Sequence, residues 1–174
     1  IYKQEEEDLE VDPLSRSNFT NLRDLVYDQE LKVKIWGAVR EFQYKKTEWA
    51  KEQILRLNIP KMEELINSWI ELCDVCINDL DIPVVPTELK KRLQAFQILI
   101  PVFTACQNPN ILNVESLLNH LMDLLKTEMK LDDAFFTTDK LMTMPHIYEK
   151  VDEIDELNTR ANEERRLKDL IKKD

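Results

Sequence analysis

Residues 28–57, DQELKVKIWGAVREFQYKKTEWAKEQILRL, decide the class of fold. Leu31, Ile35, Ala38, Val39, Phe42 and Trp49 recur at steps of three and four, while Lys32, Lys34, Arg40, Glu41, Lys45 and Lys46 fill the other face. That spacing predicts one amphipathic helix from about Asp28 to Leu57. At 1.5 Å per residue it would be about 45 Å long, more than a compact chain of 174 residues needs. An elongated shape is therefore expected.

Working outward, Asn58-Ile59-Pro60 ends this helix and a second follows to about Leu80. Met62, Leu65, Ile66, Trp69, Leu72, Cys73, Cys76 and Ile77 form its apolar stripe, and the two helices are expected to pack as an antiparallel pair. Pro83 and Pro86 make a turn, and Thr87 is placed to cap a third helix through Leu89, Leu93, Phe96, Ile100 and Phe103. Its stretch Ile98 to Phe103 is apolar nearly all round and is expected to be central. Pro101 should kink it near Gln97.

Cys106-Gln107-Asn108-Pro109-Asn110 reads as a turn. Val114, Leu117, Leu118, Leu121, Leu124 and Leu125 then make the stripe of a fourth helix. A connector, Lys130 to Asp139, leads to a short apolar turn at Leu141 and Met142. Pro145 opens a last helix with Ile147, Val151, Ile154, Leu157 and Ala161 inside. The expected architecture is all-α, an elongated helical bundle of antiparallel helix pairs with five to six helices. Residues 1–18 would be an acidic tail or linker and residues 19–174 the helical body. The chain opens on Ile1 and its last helix has no stop signal, so a piece of a longer polypeptide is expected.

Composition narrows the chemistry. There is one glycine, Gly37, where average usage would give about twelve. A Walker-type phosphate loop needs two glycines and a dinucleotide fingerprint three, so neither can be built. The net charge is −10, of which residues 1–12, with six acids against Lys3, hold −5. That balance disfavours nucleic acid and anionic membrane as partners, since both attract clustered Lys and Arg. Three cysteines, an odd number, read as reduced thiols of a cytosolic compartment. The longest uncharged run, Leu93 to Val114, has an apolar centre, Phe96 to Cys106, too short to span a bilayer.

No catalytic, cofactor-binding or metal-binding residue is assigned. Cys73 and Cys76 spell C-x-x-C, but they sit within an apolar stripe rather than at a helix start after a strand, and read as buried structural thiols. His120 and His146 lack the glutamate three residues earlier that a di-iron bundle requires, and read as solvated or capping. Glu63-Glu64, Asp132-Asp133 and Glu163-Glu164 are adjacent pairs, about 100° apart on a helix, and read as solvated surface. Trp36, Trp49 and Trp69, with Phe96 and Phe103, are expected in the structural core. Gly37 marks either the close approach of a neighbouring helix beside Trp36 or a tolerated weak point.

The order of these elements resembles a known family. Leu31 to Trp49 with Trp36 and Phe42 between, a helical hairpin, then Phe96-Gln97-Ile98-Leu99-Ile100-Pro101-Val102-Phe103 running into Asn108-Pro109, looks like the linker region of dynein heavy chains, N-terminal region 2. Ala161, Glu164, Leu167 and Leu170 fit the family's pattern in its last long helix, and the likeness covers about Leu22 to Asp174. Where the family carries Arg-His-Trp at the start of the fourth helix, Ser116, Leu117 and Leu118 stand here, which implies a divergent member.

The resemblance implies a mechanical element between the tail and a ring of AAA+ modules, bending and straightening as the ring hydrolyses ATP, with Pro101, Asn108 and Pro109 as candidate flexure points. ATP and magnesium would belong to the parent chain, and this segment would be no enzyme. The implied partners are the ring and tail of the same heavy chain, and, through the parent, dynein intermediate or light chains and microtubule doublets. The implied location is cytoplasm and cytoskeleton, in the axoneme of a cilium or flagellum. The alternative reading is a stand-alone helical adaptor or scaffold that binds protein partners through the same amphipathic stripes.

Overall fold

A computed structural model describes residues 13–173, and the acidic residues 1–12 lie outside them. The regular elements of the described chain are all helices: α1 (Pro13–Lys51), α2 (Ile59–Asp79), α3 (Val84–Gln107), α4 (Pro109–Leu112), α5 (Glu115–Leu125), α6 (Thr138–Met142) and α7 (Val151–Lys173). Two 3-10 turns, Ile54–Arg56 and Ile147–Lys150, complete it. The all-α class expected from periodicity is what the chain forms.

α1 begins at Pro13, five residues before the expected end of the acidic tail, and its 39 residues make it about 58 Å long. Proline suits a first helical turn because its missing N–H has no partner there. Its inward stripe is Leu31, Ile35, Ala38, Phe42 and Trp49, all buried. The expectation that α1 reaches Leu57 is corrected: it ends at Lys51, and the chain turns so that Ile54 is fully buried.

α2 is started by Asn58, whose side chain accepts the N–H of Lys61 at 3.2 Å, with Pro60 in the first turn. Pairings across the hairpins fix the directions. Tyr27 bonds Asp79 and Trp69 bonds Glu41, so α1 and α2 run antiparallel. Asp74 pairs with Lys90 and Asn67 with Gln97, so α2 and α3 do too. Phe42, Trp49, Trp69 and Phe96 join these three helices in an aromatic cluster with ring centroids 5.7 to 6.2 Å apart.

α3 is the central element, packed chiefly on α2 and α7. Its start differs from the expectation: the helix opens at Val84 after Pro83, and the Thr87 hydroxyl donates back to the Pro83 carbonyl instead of capping. It continues as helix through Pro101. Ile98, placed in the centre by its neighbours' hydrophobicity, is half exposed because it lies about 160° around the helix from the buried Phe96 and Ile100. α5 ends on Lys126 in the left-handed region, φ 53°. The connector after α5 is no solvated loop, since Leu131 and Phe136 enter the core. Beyond Pro145, the last helix starts only at Val151, after a 3-10 turn preceded by His146 at φ 63°.

Candidate functional site

The polar architecture of the body converges on two adjacent residues, Gln107 and Asn108, where α3 ends. The Gln107 Nε2 donates to the carbonyls of Ile54 and Leu57, each at 2.7 Å, and so holds the turn between α1 and α2. Asn108 is buried, with 8% of its surface exposed. Its Oδ1 accepts the Asn110 N–H at 3.0 Å, capping α4. Its Nδ2 donates to Asn158 Oδ1 at 2.6 Å and to Asn162 Oδ1 at 2.8 Å on α7. Asn110 Nδ2 adds a second bond to Asn162, at 2.9 Å. A buried amide costs free energy unless its donors and acceptor are met; here both donor bonds reach α7 and the acceptor caps α4.

A second tie closes the body between distant parts of the chain. Ile54 N–H donates to the Phe136 carbonyl and Thr138 N–H to the Glu52 carbonyl, both at 3.0 Å. Gln53 and Thr137 form an isolated antiparallel bridge between them. Phe136, Thr138 and Ile54 are all fully buried, which shields these bonds from water.

Of the residues singled out in the sequence, Trp49, Trp69, Phe96 and Phe103 are buried. Trp36 is not: it is 54% exposed, and its assignment to the core is corrected. It follows Ile35 by one residue, hence by about 100° around α1, which turns it away from the stripe that packs. A Cβ on Gly37 would meet nothing within 4 Å, so no neighbouring helix approaches there. Pro101 lies inside α3, half-buried, while Asn108 and Pro109 begin the next element at the asparagine cluster.

Cys73, Cys76 and Cys106 are buried free thiols. Burial, reinforced by the nearby Cys76 and Asp74, pushes the Cys73 thiol up to about 11, and burial alone takes Cys106 to about 12. The thiolate needed for redox or nucleophilic work is disfavoured at both. His120 is exposed, and His146 Nδ1 lies 3.1 Å from Glu149 Oε2 at the surface. Among the described residues no three His, Cys, Asp or Glu side chains cluster to hold a metal ion, and no helix is long and apolar enough to cross a membrane. Two surface hollows of about 740 and 730 Å³ are lined respectively by Phe42, Lys46, Lys51, Arg92 and Asp139, and by Leu55, Leu118, Met122, Glu128 and Lys130.

A family model described as dynein heavy chain, N-terminal region 2, matches residues 22–173. The chain belongs to this family. No curated protein and no solved structure matches it. The dynein heavy chain region thus spans the described body from Leu22 in α1 to the end of α7, and the Gln107-Asn108 node lies inside it. Sequence reasoning found Asn108 through its Asn-Pro spelling but missed its partners. Asn158 and Asn162, four residues apart beside Ala161, were the available signal, because that spacing puts two amides on one helix face.

Proposed function

We propose that this dynein heavy chain segment is the mechanical linker of its parent, coupling ATP hydrolysis in a ring of AAA+ modules to movement along microtubules. Family membership over residues 22–173 carries this reading. A lever needs stiffness rather than a reactive group, and the aromatic cluster, the Gln107-Asn108 node and the 52–54 to 136–138 tie supply cross-links between elements far apart in the chain. Pro101, Asn108 and Pro109 are the flexure points of the proposal. Bending at Asn108 and Pro109 must break the bonds to Asn158 and Asn162, which gives the lever a defined threshold.

In this reading ATP and magnesium bind the ring, and the segment's own partners are the ring and tail of the same heavy chain. Intermediate or light chains and microtubule doublets are engaged through the parent, in an axoneme. The test is to delete residues 22–173 from the parent heavy chain and to measure ATP turnover and microtubule gliding together. Turnover is expected to persist while gliding is lost. Gliding at unchanged velocity, or a parent reading frame without G-x-x-x-x-G-K-[ST] loops downstream, would sink the proposal.

A further inference from the structure

α1 carries two apolar stripes, and only one of them is used by the body. On the side opposite Leu31, Ile35, Ala38 and Phe42 lie Phe19, Leu22, Val26, Val33 and Trp36, which are 64%, 58%, 52%, 68% and 54% exposed. Their spacings of three, four, seven and three residues are those of a heptad seam, with Gln29 at the one remaining seam position. Singly scattered apolar residues need no explanation, but a seam in register over about 18 residues, some 27 Å, does.

We propose that this seam pairs with the same seam of a second copy of the chain, in antiparallel orientation. Centred between Val26 and Gln29, the pairing sets Phe19 against Trp36 of the second copy, Leu22 against its Val33, and Val26 against its Gln29, each contact occurring twice by symmetry. The flanking charges then fit. Arg23 and Glu30 occupy equivalent flanking positions one heptad apart, and the antiparallel register places Arg23 of each copy beside Glu30 of the other. A parallel pair would instead stack Gln29 on Gln29 and leave Glu30 beside Leu25. The register also brings Pro13 of one copy opposite about residue 42 of the other. Isolated helices of three heptads are marginal because nucleation is unfavourable, but from Tyr27 onward α1 is already held by α2 and α6.

Sedimentation equilibrium of the 174-residue chain over roughly 1 to 100 μM should show a reversible monomer and dimer. Arg23→Glu alone and Glu30→Arg alone each place like charges in both flanking contacts, and each should weaken association about tenfold. Their equimolar mixture should regain the unmodified affinity, since every flanking pair in the mixed dimer is again opposite in charge. Val26→Glu should abolish dimerisation with an unchanged circular dichroism spectrum, because the site is outside the core. A chain that stays monomeric throughout, or a mixture no tighter than either variant alone, would overturn the proposal. A dimer indifferent to Val26→Glu would overturn it as well.

Discussion

Cys106 has burial as its sole cause of a raised thiol, to about 12, and Cys73 rises to about 11 mostly for the same reason. Both start from an ordinary value of 9.0, so each thiol holds its proton more tightly in the folded chain than in the unfolded one. The associated stability is fully present below pH 9 and is lost as the pH climbs through 11 to 12. Urea unfolding is expected to show stability falling by roughly 1 kcal/mol per pH unit per thiol above the unfolded value. Cys106→Val should flatten that slope, and an identical slope in the variant would refute the assignment. Gly37 is the second informative residue. With open space where its Cβ would be and helix on both sides, Gly37→Ala should stabilise the chain by about 1 kcal/mol, raising the thermal midpoint by about 2–4 °C. A lowered midpoint would mean that the position is crowded in solution.

At the level of elements, Asn108 ties α3, α4 and α7 through three hydrogen bonds. Asn108→Ala removes the cap of α4 and leaves acceptors on α7 unmet, and should cost about 2 kcal/mol in denaturant unfolding. A loss below half of that would show that water replaces the amide freely. The helices themselves were legible because their stripes repeat strongly: the inner residues of α2, α5 and α7 are where their spacing puts them. α1 was legible both as a helix and in its inward stripe, Leu31, Ile35, Ala38, Phe42 and Trp49. Only Trp36, assigned inward as a large aromatic beside that stripe, faces out. The end of α1 at Lys51 was hidden as well. Glu52, Gln53 and Ile54 look helical locally, but their backbone groups bond with Phe136 and Thr138, a tertiary pairing that no local pattern encodes. Asn158 and Asn162 look like ordinary polar positions until the end of α3 arrives beside them.

Across the whole molecule, the tight pairings of α1 with α2 and of α2 with α3 link neighbours in the chain, and so can form early. The tie between residues 52–54 and 136–138 is of another kind: its hydrogen bonds join positions 82 to 86 apart, with Thr138 Oγ1 also donating to the Glu52 carbonyl across 86 residues. Closing so long a loop is entropically slow, and contacts of this separation tend to be absent when the folding barrier is crossed. Phe136→Ala, which empties a fully buried site and should cost about 3–5 kcal/mol, is therefore expected to act on one limb of the folding kinetics. Its unfolding rate should rise by nearly the whole of that amount while its refolding rate hardly changes. A slowed refolding limb would place the tie inside the nucleus. The lifetime of the folded segment then rests on the pairing of residues 52–54 with 136–138 rather than on the helices that make up most of its mass.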